Sequence, residues 1–227
     1  MQKEEITNIL KGREVIYAVF SGLYLFVPDK KQLETFNNII SSLKEIAQNS
    51  ENKEILESIN KLEHTVVSYF KADNTKKENI LDEIHKTYTR LFCLGNALPL
   101  SESVFISPEH ITKQVPEDKV IQLYMQCNFN MNHTSNEPQD HLSYELMFMS
   151  YLSKGTYLQL NNNKIAEAST LVKLQRYFIN NHLLNWVPVF SSMMGSYNEK
   201  YDYYKPLTIF LEGYLKEDEK YLETLEF

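Results

Sequence analysis

The chain has only two cysteines, Cys93 and Cys127, far apart and without CxxC spacing, so neither a disulfide framework nor a zinc knuckle is indicated. Six glycines and seven prolines in 227 residues are too few for the turn-dense pattern of a sandwich or barrel. Basic excess is lacking as well. The formal net charge of −7 argues against generic nucleic-acid binding, which needs clustered Lys and Arg to displace counterions. No apolar run reaches the ~20 residues a bilayer requires, since the best candidate, about 15–28, is shorter. The opening "MQKEEITNILKGRE" is charged and amphipathic, unlike a secretory leader with its basic start and apolar core. A soluble, unexported protein with reduced, packed thiols is expected, with no stable membrane insertion.

What is present is helical periodicity. Ile6, Ile9, Leu10, Val15, Ile16, Val19, Phe20 and Leu23 form one stripe, and Leu33, Phe36, Ile39, Ile40, Leu43 and Ile46 a second. After the polar break "AQNSENKE" come Ile55, Ile59, Leu62, Val66 and Phe70; Asp73–Lys77 then leads into Ile80, Ile84, Tyr88, Leu91 and Phe92. Four helices therefore fill about the first 94 residues. Gly95–Pro116 carries three prolines and no sustained period, and reads as a long ordered connection. Helix is expected again over about 117–127, 138–154, 164–184 and 197–216. No alternating β-branched run and no internal repeat competes. The expectation is an all-α protein of roughly nine to ten helices in one domain spanning 1–227, its connection at about 95–116 joining N- and C-terminal helical halves.

One stretch concentrates chemistry: Asn136–Leu146, "NEPQDHLSYEL". Pro138 fits the first turn of a helix, and Asp140 follows where free amides and the helix dipole favour negative charge. Asn136 or Glu137 would then be the cap, with Leu142, Leu146, Met149 and Leu152 as the core stripe. Capping leaves His141 and Glu145 unexplained, four residues apart on one face beside Asp140. Three uses are open: a metal-binding helical enzyme using Asp140, His141 and Glu145; an acidic helical scaffold for a protein partner; or a recognition surface whose carboxylates hold guanidinium groups. There is no HExxH, phosphate loop or G-x-S-x-G elbow, so catalysis is not signalled and no cofactor is implied.

The segment "EPQDHLSYELMFM" (Glu137–Met149) resembles the E-P-x-D-H motif of the TorD/DmsD family of redox-enzyme maturation chaperones. "YTRLFCLGNALPLSESVF" (Tyr88–Phe105) is similar to the family's Y-x-x-L-F segment, Pro-containing loop and closing Ser-Val pair. "HLLNWVPVF" (His182–Phe190) is similar to its H-L-x-x-W-x-P-x-F segment. The resemblance implies an all-α, non-enzymatic cytoplasmic chaperone. Its implied partners are the twin-arginine signal peptide of a molybdopterin-dependent reductase and also the body of that immature enzyme, held until its cofactor is inserted. Carried over, the peptide-binding residues are Glu137, Pro138, Asp140 and His141, with Tyr88, Leu91 and Phe92 lining the same groove. Asp140 and Glu137 would attract the two arginines. The loop at 95–104 departs from the family in lacking tryptophan; the chain's one tryptophan, Trp186, reads as a packing residue. The resemblance leaves open a monomer or a helix-exchanged dimer.

Overall fold

The computed structural model describes residues 3–95, 97–130, 136–197 and 203–225. Among them are ten α-helical segments and no β-strand: α1 (Lys3–Leu25), α2 (Lys30–Asn49), α3 (Lys53–Lys71), α4 (Asn74–Phe92), α5 (Glu102–Ile106), α6 (Val115–Gln126), α7 (Leu142–Asn161), α8 (Ile165–Phe178), α9 (Leu184–Met194) and α10 (Tyr204–Glu223). A π-helical turn, Ile179–Leu183, joins α8 to α9 without a break. The all-α expectation holds. No helix is long and apolar enough to cross a membrane among the described residues.

Two compact units divide the chain, residues 1–24, 100–186 and 218–227 in one, 25–99 and 187–217 in the other. In the first unit α1 and α7 run antiparallel, stitched by serines. Ser21 Oγ donates to the Ser143 carbonyl (2.7 Å), Ser150 Oγ to that of Glu14 (2.8 Å) and Ser153 Oγ to that of Leu10 (2.8 Å). Such small side chains let two helix backbones approach closely while still satisfying their own hydroxyls. Leu142, Leu146, Met149 and Leu152, the predicted stripe of α7, are all fully buried, and α8 packs along the same helix.

In the second unit α2, α3 and α4 pack in succession. Their starts are legible as caps. Asp29 forms a capping box with Gln32, Asn52 accepts from the Glu54 amide, and Asp73 accepts from the Lys76 amide. Leu33, Phe36, Leu43, Ile59, Leu62 and Ile80 are buried at 1% exposure or less, as their helical spacing requires. Gly213 of α10 lies against Ile55, where an added methyl would collide with the isoleucine side chain. A helix-interior glycine ordinarily gains about 1 kcal/mol on becoming alanine. Here overpacking opposes that gain, and Gly213→Val, bulkier still, is expected to cost about 2–3 kcal/mol in urea unfolding; a neutral result would mean that α10 does not sit against Ile55.

Several boundaries differ from expectation: α7 runs to Asn161 and α10 to Glu223, each about seven residues beyond its expected end. The connection after α4 is not all irregular, because α5 forms one short turn of helix within it. The helix expected to stop near Leu184 continues through Pro188 to Met194. Proline removes one backbone donor, yet Val187, Phe190 and Met194 are fully buried, and burial of that stripe outweighs the lost bond.

Candidate functional site

The segment Asn136–His141 does not start α7 where Pro138 suggests. It forms a turn, with the His141 amide donating to the Pro138 carbonyl (3.0 Å). Two neighbouring amides are taken by other elements. Gln139 N–H donates to Glu117 Oε1 of α6 (2.8 Å), and Leu142 N–H donates to the Leu100 carbonyl (2.7 Å). Helix begins only after His141, whose Nδ1 accepts from the Ser143 amide (3.2 Å), so His141 is the N-cap in place of Asn136 or Glu137. That bond makes Nδ1 an acceptor and puts the ring proton on Nε2.

Asp140 caps a neighbour and not its own helix. Its Oδ2 accepts from the Ser103 amide (2.7 Å) and its carbonyl from the Glu102 amide (3.0 Å), which satisfies the first two amides of α5. The side chain is fully buried, and burial raises its pKa; Glu117 and Glu102 push the same way against the Ser103 bonds. Glu137 stands exposed ahead of it, Pro138 and Gln139 are half-buried, and His141 is 4% exposed. The turn therefore presents Glu137 outward from a base tied down by Glu117, Asp140 and His141.

Burial lowers the His141 pKa from 6.5 to about 4. Below pH 6.5 the unfolded chain binds a proton that the folded one refuses, so stability from this residue is whole above 6.5 and is lost as pH falls toward 4. Asp140 and Glu145, with raised pKa values, act in the opposite sense over acidic pH, so the effect is read as a difference. His141→Asn keeps a capping oxygen. Its stability relative to the parent is expected to improve by about 2–3 kcal/mol between pH 7 and 4.5. Denaturant unfolding at several pH values measures this, and a pH-independent gap would refute the assignment.

Behind the turn lies a second group. His182, on the π-helical turn, places Nδ1 2.8 Å from Glu102 Oε2, and Trp186 Nε1–H donates to Glu145 Oε2 (3.1 Å). All four residues are at most 2% exposed. The Glu145 pKa is raised well above the usual range, first by burial and then by the Glu102 charge. Phe105 stacks on Trp186 at 5.0 Å between centroids and Phe178 on His182 at 4.8 Å, sealing the cluster with apolar surface. Glu102, Glu145 and His182 come from the Ser-Val-ending loop, the E-P-x-D-H segment and the H-L-x-x-W segment, so these parts of the three stretches meet in one buried place. Asp140 and His141 do not join this carboxylate–imidazole group, which is the one set of metal-capable side chains among the described residues.

The pattern of the family described as nitrate reductase delta subunit matches residues 48–192, nearly two-thirds of the chain. The chain belongs to the nitrate reductase delta subunit family. The chaperone protein TorD of Aliivibrio salmonicida is 27% identical over 225 residues, 96% of this chain and 98% of that one. TorD of Aliivibrio fischeri is 26% identical over 227 residues with the same coverage, and TorD of Vibrio parahaemolyticus 24% over 221. A crystal structure of a candidate redox enzyme maturation protein from Archaeoglobus fulgidus is 17% identical, covering 95% of this chain and 94% of that one at a TM-score of 0.46. The TorD/DmsD kinship read from three short stretches thus extends over nearly the whole chain.

The remaining residues assigned by that kinship lie on α4 in the second unit. Leu91 is buried at 1% exposure, Tyr88 at 7%, and Phe92 is half-buried. Tyr88 and Phe92 meet edge-on at 5.2 Å and both contact the Tyr204 ring, at 5.8 and 5.2 Å. Sequence reasoning did not find Glu102 or His182 as partners of Glu145. Glu102 sits in an aperiodic loop, and His182 falls within a helix whose π-helical widening leaves no trace in residue spacing.

Proposed function

We propose that this protein is a cytoplasmic chaperone that binds the twin-arginine signal peptide of a molybdopterin-dependent oxidoreductase and holds the enzyme until its cofactor is inserted. The observation that carries the reading is the turn 136–141 of a TorD relative, with an exposed Glu137 carried on a buried, hydrogen-bonded base. The role is binding and not catalysis. Glu137 meets a leader guanidinium in a charge-assisted bond, and Pro138 and Gln139 flank it. Asp140 and His141 are positioning residues: they lock the turn, and their burial keeps them behind the contact surface. On α4, Phe92 has surface to offer an apolar leader segment, while Tyr88 and Leu91 support it from within. The chain passes between its two units at 24/25, 99/100, 186/187 and 217/218, which favours one cooperative domain.

Calorimetric titration with a peptide carrying the S/T-R-R-x-F-L-K pattern tests the reading. Binding should occur, and should weaken when both arginines become lysine, because an ammonium cannot reproduce the guanidinium fork. No binding, or equal binding of the lysine peptide, would defeat it.

A further inference from the structure

We propose that Glu102, Glu145 and His182 form a structural site for one divalent first-row transition-metal ion of the zinc, manganese or ferrous class. One ligand atom from each lies within 4.8 Å of the other two, and all three side chains are buried to 2% exposure or less. Their chemistry fits such an ion: one imidazole nitrogen and two carboxyl groups supply a mixed N/O donor set, and a bound dication would displace the proton that burial favours on Glu145.

A second, independent observation points to a ligand. Glu145 Oε1 is fully buried and no N–H or hydroxyl donor among the described residues reaches it, so that without an ion only a proton shared with Glu102 serves it, whereas Oε2 of the same carboxyl group is held by Trp186 Nε1–H. A buried carboxylate oxygen left bare is costly, and native interiors rarely tolerate one. Trp186 fixes the plane of the carboxylate and leaves Oε1 for the ion, the outer-shell role that a hydrogen-bond donor plays at metal sites. The backbone is consistent with this. His182 sits in a π-helical turn, a local widening that is rare and concentrates at functional positions.

With an ion bound, donor atoms sit about 2.0–2.2 Å from it. The cluster would draw inward, and the metal would take the place of the present His182–Glu102 hydrogen bond. The ion would tie α5, α7 and the π-helical turn together, so binding belongs to folding stability and not to catalysis. Enclosed as it is, the ion would enter during folding or through local opening and would exchange slowly.

The test is metal analysis of the untagged, full-length protein. It is measured as purified from cells, and again after refolding from urea and EDTA with Zn²⁺, Mn²⁺ or, without oxygen, Fe²⁺. About one ion per chain should survive gel filtration, and the loaded protein should melt at higher temperature than the metal-free one. Glu145→Gln and His182→Gln should each lower affinity by at least about tenfold, while His64→Ala and His110→Ala retain the ion. If a cluster variant fails to fold, X-ray absorption on the loaded parent decides: one imidazole with carboxylate oxygens supports the site, and two imidazoles or a thiolate overturn it. Wild-type protein holding less than about a tenth of an ion per chain under every condition also overturns it, as would retention of the ion by both cluster variants.

Discussion

Replacing Arg13 with alanine is expected to lower the unfolding free energy by about 3–5 kcal/mol, as removal of one partner from a buried ion pair does. Arg13 and Asp218 are 3% and 4% exposed, and the guanidinium fork meets the carboxylate twice, Nε to Oδ1 at 2.5 Å and Nη2 to Oδ2 at 2.7 Å. Nη1 also donates to Gln175 Oε1 (2.7 Å) and Ser153 Oγ (3.2 Å), and the Tyr17 hydroxyl donates to Asp218 Oδ2 (2.6 Å). One side chain of α1 thereby ties α7, α8 and the end of α10 in the first unit. Without it, Asp218 stays buried with only a tyrosine hydroxyl, and two polar acceptors lose their donor. Arg13→Lys keeps the charge but not the fork, and should recover only part of the loss. Urea unfolding measures both. A loss under about 1 kcal/mol for Arg13→Ala would mean that the network is solvated and contributes little.

The second large effect separates two roles for Asp140. If it positions the turn, Asp140→Asn should bind the leader peptide within about twofold of the parent, because an amide oxygen still accepts from Ser103 N–H. Asp140→Ala removes that acceptor, strands the buried Ser103 amide and loosens the base under Glu137. Its peptide affinity should fall about tenfold, with a stability loss of about 1–2 kcal/mol. A residue that met arginine through its charge would give another result, with Asn and Ala equally impaired. Titrating both variants, alongside unfolding curves, distinguishes the two.

Much of the fold was legible because helix signals are local. The apolar stripes of α1 to α4 and the caps at Asp29, Asn52 and Asp73 are complete within a few residues of each boundary. The start of α7 departs from its local signals for the opposite reason. Pro138 and Asp140 make a good local cap, but Glu117 and the 100–103 backbone compete for the groups of this segment, and those partners are 22 to 42 residues away. Extension of helix through Pro188 likewise follows from tertiary burial, which no cap rule sees. At the site, the segment Glu137–His141 was marked by its unusual composition. The division of labour inside it, Glu137 outside and Asp140 and His141 within, required knowing which backbone amides lay behind. The Glu102–His182 pairing spans 80 residues and could be read only from the assembled chain.

The central claim is that Glu137 meets an arginine of a partner's leader, and a double-mutant cycle measures it most directly. Glu137→Gln in the protein is combined with Arg→Gln at each twin-arginine position of the peptide, and the four affinities of each cycle are compared. Coupling of about 1–2 kcal/mol with at least one arginine is predicted, as for a charge-assisted bond shielded on docking. Losses that simply add, with no coupling at either arginine, would contradict it.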